Sequence, residues 1–292
     1  MKPLEFVDER KVSGLRDWKH YSPFLKIFCE YFGKRTLKEI TYSNLISFRA
    51  HRLKIPTQYE RQRSIRTVNR ELTCLRRIFN IAVQENWIIR NSFNCGGSSI
   101  KVSAERKRER ILITEESRLL RACEHPQRKH LKPLLIALLD TGARKGEMLK
   151  LKWKDVDFEL RLITIQALNT KTLKKRQVAI TQRLYAELTI LWKNSDKNFD
   201  SLVFGITDNV RKSFSSACKM TGIKEGGIDG LTLHSLRHSA ATRLLKGQMP
   251  IQMVGRILGR SQPQTTYRYL SANDETLRQA ASILESIQEN SE

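Results

Sequence analysis

TGARKGEMLKLKWKDVDF, residues 141–158, is where the chain changes its periodicity, and that change decides the fold. Upstream of it, residues 115–124 read as a helix and LKPLLIALLD (131–140) as a strongly apolar one, broken at Gly142 and resumed over Arg144–Leu149. Beyond Trp153 the pattern shortens. RLITIQ (161–166) and RQVAI (176–180) are β-branched runs around the polar loop ALNTKTLKK, which predicts a β-hairpin or a small sheet edge. Helical spacing returns at 182–193, 208–220, 235–247 and 251–258, with Pro250 at a helix start and Gly259 at a helix end. This half is therefore expected to be mostly α with a small β-sheet.

The first half shows only the helical period. Residues 22–32, 43–53 and 67–85 recur apolar at three- and four-residue intervals, most clearly Val68, Leu72, Leu75, Phe79 and Ala82, with Gly33-Lys34 as a short turn. Arg66, Asn69, Arg70, Thr73 and Arg77 fall on the opposite side of the third helix. A solvated face is the plainer reading of such a stripe, and a phosphate-tracking face the alternative. FNCGGSSIKVSAERKRER (93–110) then loses all period and gains Gly, Ser and charge, as an exposed linker does. The organisation expected is a helical domain over 1–95, a basic linker over 96–112 and a second domain over 113–292.

Charge selects between the uses such a fold could have. The 292 residues carry 53 Lys+Arg against 30 Asp+Glu, a formal net charge of +23, with 40% hydrophobic residues. That composition folds, and it does not suit a neutral enzyme of small-molecule metabolism. Each Lys or Arg docked on a phosphate releases a condensed counterion, so a polyanion is the favoured partner: nucleic acid first, an anionic membrane surface second. No apolar run approaches the roughly 18–20 residues of a membrane span, and MKPLEFVDERK lacks the apolar centre of a signal peptide, so a cytoplasmic protein is expected. Cys29, Cys74, Cys95, Cys123 and Cys218 are odd in number and contain no C-x-x-C pair, which supports neither a disulfide framework nor a zinc site. The histidines form no metal-ligand cluster, although His234 and His238 are four apart.

Three segments place cations, a histidine and a tyrosine at close spacing: TGARKGE (141–147), LHSLRH (233–238), and LGRS (258–261) followed by TTYRY (265–269). The i, i+3 interval sets His234 and Arg237 on one helical face. With these residues in view, the chain resembles a tyrosine recombinase of the phage-integrase family. TGARKGEMLKLKWKDVDF resembles the first arginine box, HSLRH the His-x-x-Arg box, LGRSQPQTTYRYL the terminal box with the nucleophilic tyrosine, and NTKTLKKRQVAI the hairpin that carries a lysine. Four boxes in order make a specific signal, where any one alone is weak.

The resemblance implies a helical core-binding domain over residues 15–95 and a mixed α/β catalytic domain, closing as a C-shaped clamp on double-stranded DNA. It implies Arg144 and Arg237 as the pair on the scissile phosphate, Lys171 as general acid toward the 5′-oxygen, His234 as base, and Tyr269 as nucleophile. Permanently charged, planar guanidiniums suit the charge that develops on non-bridging oxygens, so neither a metal nor ATP is required, and no cofactor is expected. One position departs from the pattern: Arg260 stands where the family has His or sometimes Trp. It donates a hydrogen bond but shuttles no proton at neutral pH. Tyr267 is the rival nucleophile, about 200° around a helix from Tyr269. The plainer readings are an Arg144–Glu147 helix pair, a basic turn of Lys171, Lys174 and Lys175, and a core or capping His234.

The tail after Tyr269 carries Leu277, Ala280, Ala281, Leu284 and Ile287 on one face, to pack on its own domain or on a neighbouring protomer of a homotetramer. The function expected is an integrase that integrates or excises a mobile element at paired sites in the nucleoid, with accessory DNA-bending or directionality proteins as candidate partners. A catalytically impaired DNA-binding or architectural protein and a type IB topoisomerase are the alternatives. Only about 15–20 residues precede the first helical pattern, too few for a further folded domain, which leaves open a two-domain enzyme or a chain starting inside a longer one.

Overall fold

The computed structural model describes residues 22–57, 60, 62–96, 100, 114–167, 175–206, 210–226, 230–260 and 266. The chain divides into two compact units, Met1–Arg106 and Lys107–Glu292.

In the first unit the apolar intervals become α1 (Ser22–Phe32), α2 (Tyr42–Lys54) and α3 (Ile65–Gln84). Gly33 ends α1 in the left-handed region, with φ +61° and its N–H donated to the Cys29 carbonyl. Thr41 starts α2 through a reciprocal capping box with Asn44, and the Ser64 hydroxyl accepts the Thr67 N–H at the start of α3. Leu25, Phe28, Leu45, Phe48, Leu72, Leu75 and Phe79 form the core, with the Phe28 ring edge-on to Phe48 at 5.7 Å. All five apolar positions expected on α3 are buried. So is Glu71, which the apolar stripe does not reveal. Arg52 of α2 grips it with two bonds, of 2.7 and 2.9 Å, and Arg63 approaches to 3.6 Å. A carboxylate removed from water is tolerated only when matched in this way, so the pair fixes α2 against α3.

The second unit contains α4 (Glu116–Ala122), α5 (Leu131–Thr141), α6 (Lys145–Met148), β1 (Val156–Asp157), β2 (Leu162–Ile165), β3 (Arg176–Ala179), α7 (Gln182–Lys193), α8 (Val210–Met220), α9 (Leu233–Lys246) and α10 (Ile251–Ile257). It is mostly helical with a small sheet, as the change of period implies. The sheet is larger than a hairpin: three antiparallel strands run in the order β1-β2-β3, with Val156 opposite Ile163 and Ile163 opposite Val178. Two-residue β1 is too short to show an alternation, which is why the sequence hides it. Apolar all round, α5 is buried on nearly every face and packs between α7 and α9.

Four helices are tied together at one charged knot. Arg183 of α7 donates to Asp140 of α5 and to Glu116 of α4, and Arg243 of α9 also donates to Glu116. This leaves α9 fixed to α5 through α4. That helix begins at Leu233, two residues earlier than its apolar spacing indicates, because Thr232 and Ser235 form a capping box.

Candidate active site

The site is assembled around the turn between α5 and α6. Gly142 ends α5 with φ +62°, a conformation that only glycine adopts cheaply, and a Cβ there would lie 2.7 Å from Leu258 Cδ2. The Thr141 hydroxyl accepts the Ala143 N–H across the turn. Arg144 follows in extended backbone as the residue before α6, and Glu147 reaches back from the first turn to accept its N–H at 2.8 Å. The same carboxylate accepts Arg144 Nη1 at 2.8 Å. The helix pair considered for Arg144 therefore forms, but it is part of something larger.

Glu147 is 3% exposed and joins two guanidiniums. Arg176, the first residue of β3, donates Nη2 to Oε2 at 2.6 Å and Nη1 to Oε1 at 3.3 Å, and gives Nε to the Ile257 carbonyl at 2.9 Å. Burial works to raise the Glu147 carboxyl. The hydrogen bonds and charge of Arg176 and the hydrogen bonds from Arg144 outweigh it, and the group is held below its ordinary value. Gly259 lies against the same guanidinium; at φ +62°, a Cβ on it would fall 2.8 Å from Arg176 Nη1.

Arg237 enters from α9 and is 2% exposed. Its Nη1 donates to the Gly142 carbonyl at 2.8 Å, across 95 residues of sequence, and its Nη2 to the Leu258 carbonyl at 2.5 Å. Two segments far apart in the chain are thereby sewn to one side chain. Arg260 is partly exposed, and its N–H is bonded to the Gly255 carbonyl at 3.0 Å. Six residues further, Thr266 is fully buried, its hydroxyl 3.3 Å from where a Cβ on Gly255 would sit. His234 is exposed and its ring meets His238 edge-on at 5.2 Å. In the first turn of α9 His234 is exposed while Ser235 and Leu236 are buried, and Arg237, three residues after His234, is buried as well.

The structure therefore brings Arg144, Arg237 and the segment carrying Arg260 to one place. Lys171, Tyr267, Tyr269, the C-terminal tail and residues 97–99 and 101–112 of the basic linker lie outside the described residues. In the first unit Arg66, Arg70 and Arg77 are exposed and Asn69 partly so, on the side of α3 away from its buried positions. Sequence reasoning missed Glu147 as a hub and Arg176 altogether. The Glu three residues after Arg144 was a visible capping signal, whereas Arg176 sits in the run KKR and reads as one more surface charge.

Among the described residues no group of three or more His, Cys, Asp or Glu could hold a metal ion, and no helix is long and apolar enough to cross a membrane. Cys123 and Cys218 are buried. Burial raises their thiols to about 11 and about 12, so both stay protonated at neutral pH.

Arg176 and Arg237 thus reach the α5–α6 turn from distant parts of the chain, and comparison with known proteins specifies the class. The model of the phage integrase family matches residues 109–276, and that of the phage integrase SAM-like domain matches residues 4–101. The chain belongs to the phage integrase family, the tyrosine recombinases. It is 25% identical to the "Probable integrase/recombinase protein" of Methanocaldococcus jannaschii, over 92% of this chain and 85% of that one. It is 24% identical to a "tyrosine recombinase XerC-like" protein of Caldanaerobacter subterraneus, over 70% of this chain and 61% of the relative. Its fold is similar to that of the Tn1549 transposon integrase in complex with transposon right end DNA, with a TM-score of 0.77 and 19% identity, covering 98% of this chain and 100% of that one. It is also similar to that of a lambda integrase in a tetramer bound to a Holliday junction, with a TM-score of 0.66 and 19% identity, covering 89% and 76%.

Proposed function

We propose that this protein is a site-specific DNA recombinase that cuts and rejoins double-stranded DNA through a 3′-phosphotyrosyl intermediate, integrating or excising a mobile element. The observation that carries the reading is the convergence of Arg144 and Arg237: the second donates to the carbonyl of Gly142, two residues before the first. In this reading both guanidiniums hold the non-bridging oxygens of the scissile phosphate and balance the charge that builds in the transition state. Tyr269 attacks phosphorus, His234 takes or shares its proton, and Lys171 protonates the departing 5′-oxygen. Arg260 adds a donor to the phosphate. The phosphotyrosyl bond keeps the energy of the broken one, so resealing needs no ATP.

The helical domain over 1–95, with Arg66, Asn69, Arg70 and Arg77, tracks the backbone from one side, and the domain over 113–292 performs the chemistry. The linker over 96–112 joins them. Work on paired sites calls for a homotetramer, as in the lambda integrase assembly, and accessory DNA-bending or directionality proteins would set the direction of the reaction. The protein acts where the DNA is, in the cytoplasm at the nucleoid.

Incubation with nicked DNA carrying its own site, followed by denaturing electrophoresis, tests the reading. A covalent adduct that survives in Tyr267→Phe and vanishes in Tyr269→Phe is the expected result. Arg260, in place of the family's His or Trp, favours one second reading, a DNA-binding protein that no longer cleaves. Tight site-specific binding with no adduct from the wild type would establish that instead.

A further inference from the structure

The charges at the α5–α6 turn do not balance. Glu147 is one carboxylate with two guanidinium partners, Arg144 at 2.8 Å and Arg176 at 2.6 Å. Their surroundings differ. The Arg144 side chain is 30% exposed, whereas that of Arg176 is 9% exposed and is hemmed in by Gly259 and the Ile257 carbonyl. Arg144 alone with Glu147 would be a neutral pair, and for a phosphate arriving at its open edge repulsion from the carboxylate behind would offset part of the attraction from the guanidinium. With Arg176 on the buried side, the trio carries a net positive charge, and the carboxylate density is drawn away from the open edge. Arg176 also ties the start of strand β3, five residues after Lys171 in the sequence, to the end of α10, from which Arg260 follows.

We propose that Arg176 is a positioning residue for strand cleavage: it occupies Glu147 from the buried side, so that Arg144 keeps both its orientation and its positive charge for the scissile phosphate. The inference rests on the recombinase reading above. It makes a demand that a mere strut does not make, because the harm done by removing Arg176 should come from the unmatched charge of Glu147. Taking that charge away should then restore activity.

The test uses the full chain and the rate of covalent adduct formation on a nicked site, with thermal melting and DNA affinity measured for every variant. Arg176→Gln should lower the adduct rate about 10- to 100-fold, less than loss of a direct phosphate donor. Arg176→Lys, which keeps the charge but not the planar fork, should lie between the two. Adding Glu147→Gln to Arg176→Gln should recover about fivefold or more, a coupling within the range for residues in one network. A double variant no faster than Arg176→Gln, or Arg176→Gln as fast as wild type, overturns the proposal. If Arg176→Gln does not fold, the same comparison of Arg176→Lys with and without Glu147→Gln decides it by the same criterion. A wild type that makes no Tyr269-dependent adduct overturns the recombinase reading itself and this proposal with it, and that outcome is distinct from a fast wild type with an indifferent Arg176.

Discussion

Each unit of this protein contains a buried glutamate approached by two arginines, and the two trios are put to different uses. In the first unit Glu71, Arg52 and Arg63 have side chains 1%, 9% and 16% exposed, and every partner is turned inward. In the second, Glu147 and Arg176 are as deeply placed, but Arg144 is 30% exposed. The same three groups hold a helix pair together when all are enclosed, and present a cation when one is left at the surface. Exposure alone does not mark a site, since Glu116 holds Arg183 and Arg243, 42% and 38% exposed, in a knot between helices; the exposed guanidinium of the Glu147 trio differs in lying beside the turn that Arg237 reaches.

That contrast can be broken by substitution. Arg144→Ala should reduce adduct formation by about 10²–10³-fold, the usual loss for one donor aimed at developing charge, while unfolding free energy changes by no more than about 1 kcal/mol, since Glu147 keeps Arg176. Arg52→Ala should do the reverse and lower the stability of the chain by roughly 3 kcal/mol in urea denaturation, because Glu71 is left buried with only the more distant Arg63. If the two substitutions cost equal stability, the distinction between the trios fails.

Acid sharpens the comparison on one side. The Glu147 carboxyl is depressed in the folded chain below its ordinary value of 4.5, so its contribution to stability is complete above that value and is lost as pH falls through the lower folded one. The stability advantage of wild type over Glu147→Gln should thus be flat from neutrality down to about pH 5 and shrink below it, as read from melting temperature against pH. The smallest effect is expected on the outer face of α3. Arg70→Ala should weaken DNA binding modestly and lower the slope of log affinity against log salt by about 1, with the adduct rate at saturating DNA unchanged.

Legibility in the sequence followed the same division between pattern and pairing. The ends of α1 and α7 could be read to the residue from apolar spacing, helped at α1 by the Gly33 turn; the structure adds that the Thr181 hydroxyl opens α7 by accepting the Leu184 N–H. The order of the arginine, His-x-x-Arg and Leu-Gly-Arg segments was likewise visible. Strand β1 was not, since two residues carry no period. Nor could the inward turn of Arg52, Glu71 and Arg176 be seen, because a charge at the border of an apolar stripe looks identical whether it faces water or a partner brought in from a distant segment. Arg237 could be picked out as a candidate, yet its carbonyl partners belong to residues 142 and 258, and only the fold makes them neighbours.

Those two carbonyls have a further consequence. Gly142 and Leu258 are the closing residues of α5 and α10, where main-chain oxygens have run out of helical donors and a partial negative charge collects. Arg237 therefore serves as the C-terminal stopper of two helices at once. Two of its donors are held by fractional charges of the main chain rather than by a formal anion, and the helix ends are themselves completed only when that side chain is in place. The residue proposed to meet the DNA is thus also one that the fold itself holds in place.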